Sequence, residues 1–330
     1  MCVERQFEGV WLFFVVVLIF FFFVSTVLSY GFQCCCCCFF FWRSMWRHLL
    51  RRLGVAVHPA LKRHTAPDKQ IYGIFCDANS GGLDEGELLC AVPFFHCIAA
   101  KVAAASPWGS TLMANASFYT VSGDGVRVEY PSESVITTVF CALVLLFKEC
   151  PLNSYLQWIA LDHEDDASMR RKLGGPTYTK LQSIKVLNES IIAALCEDAS
   201  SAGWNISLDT MSRAHAICSS RCVDVPCSQD VFGGPALVPF VDLINHNEEE
   251  PNVIVYVDTM HSLLSLLRRS RHLPQVFEDE ISGGHCPFYV LARAAKGIAA
   301  GEELHYRYLD PHDALARDPL FWASRFHFCP

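Results

Sequence analysis

The order of its segments constrains this chain more than any single motif does. Ser132 to Cys150 carries Val135, Ile136, Val139, Phe140, Leu143, Val144 and Phe147 at helical intervals, with Ser132 or Ser134 able to cap the start and Pro151 ending it. Leu152 to Leu161 continues as a short helical turn. Tyr178 to Cys196 places Leu181, Ile184, Leu187, Ile191 and Leu195 on one helical stripe, and Leu208 to Cys218 reads as a further helix. The flanks read differently. Tyr72 to Asp77 is a short apolar strand, Asn79-Ser80-Gly81-Gly82 a turn, and Leu88 to Pro93 a second strand closed by proline. On the far side Val253 to Val257 and Phe288 to Ala292 are strand-like. Thr259 to Pro287, with its polar, basic and acidic clusters, reads as a variable surface loop between them. Strands interrupted by a run of helices predict an α+β fold: a β structure over 71–330 with an inserted helical region at about 130–235.

Two blocks near the end carry the chemistry. Asp242-Leu243-Ile244-Asn245-His246 is an apolar run that stops abruptly in Asn-His. Gly301-Glu302-Glu303-Leu304-His305-Tyr306-Arg307-Tyr308 is an acidic turn followed by alternating residues. The alternation places Tyr306 and Tyr308 on one strand face, where one of them can be plain core. Glu302 and Glu303 read as a solvated turn rather than acid–base groups. His246 alone would be an ordinary turn histidine, and Arg213 alone a surface arginine. No motif residue calls for a metal. The closest approach to ligand spacing, Cys218, Cys222 and Cys227, lacks a Cys-x-x-Cys pair.

Together the blocks resemble the C-terminal half of the SET domain of protein-lysine methyltransferases. With Trp204, Ser212-Arg213-Ala214, Leu237-Val238-Pro239 and, less closely, Asn153 to Trp158, the match is similar to the group with a long helical insertion. Rubisco large-subunit methyltransferase and the actin-histidine methyltransferase belong to that group. The resemblance spans about Ile71 to Phe328. It implies a SET-type fold with a knot-like C-terminal segment and S-adenosylmethionine bound in a groove. It places Asn245, His246, Arg213 and Asp242 at the cofactor and Tyr308 at the active-site tyrosine. The activity it implies is methylation of a protein side-chain nitrogen, lysine first and histidine as the alternative. A catalytically inert SET-like binding module is the rival of another class. Leu309 stands where the family often has glycine, Ser324-Arg325-Phe326 replaces Tyr-Gly-Phe, and the family's C-terminal helical substrate-binding domain has no counterpart before Pro330.

Composition narrows the partners. The net charge of −8 gives no global basic character, and Arg268, Arg269 and Arg271 make a cluster too short to argue for nucleic acid. A protein substrate and a monomer are expected. Of 17 cysteines, five form the run Cys34 to Cys38 and most others sit singly in apolar segments, which favours free thiols and a reducing compartment.

Residues 1–70 read as an N-terminal extension. Val10 to Tyr30 is uncharged and long enough for a membrane-spanning helix. The arginines that follow it would place the remainder in the cytoplasm, with Cys34 to Cys38 at the membrane edge, open to palmitoylation. The segment 45–65 has several basic residues and no acid, and suits a mitochondrial transit peptide if translation starts at Met45. Anchor, transit peptide and disordered extension stand side by side.

Overall fold

The computed structural model describes residues 45–65, 72–159, 161, 165–225, 234–269, 286–309 and 312–328. Two compact units are distinguished, Met1–His48 and Leu49–Pro330. The first has residues 45–48 described, and they are helical. The apolar segment 10–30 lies outside the described residues. Among those described, no single helix is long and apolar enough to cross a membrane.

The second unit is built on a four-stranded antiparallel sheet in the order β1 (Ala56–Val57), β4 (Leu88–Pro93), β12 (Phe288–Ala294), β11 (Val253–Thr259). The sequence of β4, Leu-Leu-Cys-Ala-Val-Pro, is apolar throughout because every one of its residues is buried. It lies between β1 and β12, covered on both faces. The edge strand β11 buries only some of its residues. Beside this sheet β2 (Leu61–Thr65) pairs antiparallel with β3 (Tyr72–Cys76) along its whole length. A third sheet joins β5 (Ile98–Ala99), β9 (Pro235–Leu237) and β8 (Val223–Asp224).

The fold therefore begins earlier than residue 71. β1 and β2 come from the stretch assigned to the N-terminal extension, and the basic segment 45–65 supplies both strands. Composition reports charge and helical spacing, but not the distant strands that β1 and β2 pair with.

Short helices α1 (Ala100–Ala105) and α2 (Gly109–Asn115) precede a hairpin of β6 (Tyr119–Gly123) and β7 (Val126–Tyr130). Then come α3 (Ser132–Leu146), α4 (Pro151–Trp158), α5 (Asp166–Leu173), α6 (Gly175–Ser201) and α7 (Leu208–Arg221). This is the helical region expected between 130 and 235. Helix α3 is buried along most of its length, from Val135 to Leu145. Pro151 ends the link after α3 and also opens α4 as its first residue, where a missing N–H is harmless. Ser207 caps α7 by accepting from the Thr210 N–H at 3.2 Å.

The segment read as a surface loop from Thr259 begins instead with a helix, α8 (Met260–Arg269), which buries Leu263 and Leu267 one turn apart. Residues 270–285, with Arg271, lie outside the described residues. The last helix, α9 (Pro319–Phe326), is held by the inserted region: Ala323 packs with Met169 of α5 and Leu181 of α6. The nine described cysteines are free thiols. Cys227 is outside the described residues, and among the described residues no group of three or more His, Cys, Asp or Glu side chains could hold a metal.

Candidate active site

The two sequence blocks meet as strands. Asn245–His246 forms β10, which pairs in parallel with β13 (His305–Tyr306), Asn245 opposite His305 and His246 opposite Tyr306. Asn252 locks the pair. Its backbone N–H donates to the His305 carbonyl at 3.0 Å, and its side-chain oxygen accepts from the His305 N–H at 2.7 Å. Its amide donates to the Glu303 carbonyl at 2.8 Å and to Glu302 Oε1 at 2.9 Å. Asn252 is fully buried, and every polar atom of its side chain is used, as burial demands. No sequence pattern marked it, because its partners are all distant in the chain.

Tyr308 follows β13 and turns back onto β10. Its hydroxyl donates to the Ile244 carbonyl at 2.8 Å, one residue before Asn245, and its N–H donates to His246 Nδ1 at 3.2 Å. The ring is enclosed by His246, Tyr306 and Phe326, with centroids at 5.1, 4.8 and 5.2 Å. Burial pushes its phenol well above the usual tyrosine range, so the hydroxyl stays protonated as a donor. Phe326 belongs to the altered Ser324-Arg325-Phe326 stretch, which thus still supplies an aromatic wall. Tyr306, the other tyrosine of that face, is core, as its alternation with Tyr308 allowed.

His246 packs at a tilt against Trp322 of α9, ring centroids 4.5 Å apart. Burial drives its pKa down from 6.5 to about 4, against the opposing pull of Glu248. The neutral ring has a lone pair on Nδ1 for the Tyr308 N–H, which an imidazolium would lack. A folded pKa below the unfolded one means that stability from this group is complete above about pH 6.5 and is lost as pH falls toward 4. The His246 ring proton resonances should therefore stay flat between pH 8 and about 5.5. A midpoint near 6.5 in an NMR titration would contradict this placement.

Asn245 is held on its nitrogen. Nδ2 donates to the Tyr72 carbonyl at 3.1 Å and to Glu303 Oε1 at 2.6 Å. Glu303 is the residue that sequence reasoning most misjudged. It is no solvated turn. It bridges to Phe75 of β3, flanked by Cys76 N–H to Glu302 O and Leu304 N–H to Ile74 O. Its side chain is 13% exposed and its second oxygen lies 3.4 Å from His305 Nε2. Gly73 makes room: a Cβ there would run into the Glu303 carboxylate and the Asn245 amide.

The other two expected cofactor residues sit differently. Asp242 is 6% exposed and belongs to the interior. Its Oδ1 accepts from the Tyr155 hydroxyl at 2.5 Å, and its carbonyl accepts from Arg221 Nη1 at 2.9 Å. Burial raises its pKa from 3.8 to about 6, opposed by Arg221 and by the Tyr155 hydrogen bond. Its place in the motif says nothing of its burial, and its role here is to brace the turn before β10. Arg213 Nη2 is bound to the carbonyls at the end of α4, Leu156 at 3.0 Å and Gln157 and Ile159 at 3.4 Å each. That is the usual place for a cation at a helix C-terminus. Beyond it the Arg63 guanidinium lies between Trp158 of α4 and Tyr72, 4.5 and 4.0 Å from the rings. The structure brings Asn245, His246 and Tyr308 together; Asp242 is buried in the turn before β10, and Arg213 lies at the C-terminal end of α4.

No protein-family model matches the chain, and no curated protein matches it. Solved structures do. The SET domain of LSMT bound to lysine and AdoHcy aligns with 87% of this chain and 57% of its own, at a TM-score of 0.57 and 13% identity. Rubisco LSMT bound to AdoMet aligns with 87% of this chain and 56% of its own, at a TM-score of 0.55 and 14% identity. Rubisco LSMT bound to sinefungin and monomethyllysine gives the same coverage at a TM-score of 0.54. The chain thus spans a little over half the length of the structures it matches. The α+β architecture with its inserted helices is the SET fold.

Proposed function

We propose that this chain uses S-adenosylmethionine to methylate a protein side-chain nitrogen, with lysine as the acceptor. One observation carries the reading most directly: the Tyr308 hydroxyl is bonded to the carbonyl of Ile244, so it sits one residue from the Asn245 amide. A donor pocket and a reaction centre need that proximity. The solved neighbours of the same fold bear AdoMet, AdoHcy, sinefungin, lysine or methylated lysine, which supports both the donor and the acceptor.

The residues present suit such a ligand. With both hydrogens of Nδ2 engaged, Asn245 Oδ1 is left as an acceptor without a partner among the described residues. The Tyr72–Gly73 backbone alongside lacks a Cβ at its second position. When bound, the donor supplies an electrophilic methyl on a positive sulfur. The protein has little covalent work to do. It aligns a neutral amine with that methyl and keeps water away. The Tyr308 oxygen, its proton committed to the Ile244 carbonyl, presents lone pairs that orient the attacking nitrogen and favour positive charge nearby. The neutral His246 adds no repelling charge.

Calorimetry and a labelled-methyl transfer assay on fractionated lysate test the proposal. Asn245→Ala should weaken S-adenosylmethionine binding by about tenfold or more, the worth of one good hydrogen bond. If the unaltered chain binds no tighter than about 1 mM, roughly −4 kcal/mol, the inert binding module takes the place of the enzyme. Label on histidine rather than lysine would redirect the acceptor.

A further inference from the structure

We propose that Glu303 is a positioning residue: it fixes which end of the Asn245 amide faces the ligand. This rests on the methyl-donor reading above. An asparagine amide can flip, presenting either an acceptor or a donor pair, and only its neighbours decide. Here both neighbours are acceptors. The Tyr72 carbonyl at 3.1 Å can take only an N–H, and Glu303 Oε1 at 2.6 Å takes the other. The flipped amide would set its oxygen against two oxygens. The orientation is therefore fixed before any ligand arrives, and Oδ1 is left to accept from it.

Glu303 is itself held so that it cannot turn away. Its backbone bridges to Phe75, its carbonyl accepts from Asn252, and its second carboxylate oxygen faces His305 Nε2. His305 is the residue paired with Asn245 across the β10–β13 ladder. The carboxylate approaches the backbone so closely at Gly73 that any side chain there would displace it. A charged acceptor binds an amide more strongly than a neutral one. The carboxylate thus sets the acceptor pattern of the pocket although it need not touch the ligand.

A reciprocal exchange tests this on the full chain, with S-adenosylmethionine affinity by calorimetry and a thermal melt of each variant. Glu303→Ala leaves the Tyr72 carbonyl alone to orient the amide and should weaken binding by about three- to tenfold. Glu303→Gln keeps an acceptor for Nδ2 and should bind within about threefold of the unaltered chain, rescuing the loss. Asn245→Asp sets two carboxylates face to face and should bind at least about tenfold more weakly. The pair Asn245→Asp with Glu303→Gln restores a donor and an acceptor between residues 245 and 303 but leaves an oxygen against the Tyr72 carbonyl, and should recover part of that loss. A purely structural glutamate would lower affinity and melting temperature together, and would give no recovery in the pair. Equal affinity in Glu303→Ala, or no recovery in the exchanged pair, overturns the positioning role while leaving the methyl-donor reading intact. Absence of binding by the unaltered chain overturns both. If Glu303→Ala does not fold, the exchanged pair against Asn245→Asp alone decides.

Discussion

Replacing Tyr308 by phenylalanine should lower the methyl-transfer rate by roughly 10²–10³, the usual effect of removing one preorganised polar contact at a reaction centre. Affinity for S-adenosylmethionine should change by less than about threefold, because the groups proposed to bind it sit on β3 and β10. The separation of the two effects follows from geometry. The ring is enclosed by His246, Tyr306 and Phe326, so phenylalanine fills the same space. What is lost is the oxygen beside Ile244 and with it the lone pairs that orient the amine. Single-turnover transfer with saturating donor, alongside calorimetry, reads the two quantities apart. Full rate in the variant would remove Tyr308 from the reaction. Equal loss of rate and affinity would make it a packing residue of the donor pocket.

Much of the scaffold was legible because its signals are local. β3 and β4 announce themselves as short apolar runs between turn residues, and α3, α6 and α7 by their periodicity. The misses have physical reasons. The β6–β7 hairpin turns through Asp124-Gly125, both at positive φ, 51° and 74°, and an Asp-Gly pair between alternating strands is a strong hairpin signal. It was there to be used. Helix α8 was equally visible in the spacing of Leu263 and Leu267, but the charged residues after it drew the whole segment toward loop. Other misses were not recoverable from one sequence. Glu303 looks like turn chemistry until β3 and Asn245 are folded against it. Arg63 looks like part of a basic leader until Tyr72 and Trp158 close around it. Asp242 and Asn245 lie three residues apart in one motif. One is interior and the other only partly buried, and the 3₁₀ turn over Val241–Leu243 leads from the first to the second.

That turn is where the largest stability effect is expected. Tyr155 is fully buried, and its hydroxyl donates to Asp242 Oδ1 while accepting from the Phe240 N–H at 3.0 Å. Phe240 holds a positive φ of 78°, a conformation that a bulky side chain adopts only when its surroundings impose it. Tyr155→Phe keeps the ring but takes the donor from a buried carboxylate and the acceptor from Phe240. A loss of about 3 kcal/mol is expected, or roughly 5 °C in melting temperature for a body of this size. The loss should depend on pH, with a definite sign. Asp242 has a folded pKa raised from 3.8 to about 6, so the protein favours its neutral form. The group's contribution to stability is greatest below pH 3.8, falls as pH rises toward 6, and is level above it. The Tyr155 hydrogen bond favours the charged form. Without it the folded pKa climbs further, and the fall continues past pH 6. Calorimetric melts at pH 5 and pH 8 should therefore show the gap between variant and unaltered chain widening at the higher pH. A constant gap, or one below about 1 kcal/mol, would mean that the carboxylate draws its support from elsewhere. The turn carrying Asn245 and His246 would then not depend on Tyr155.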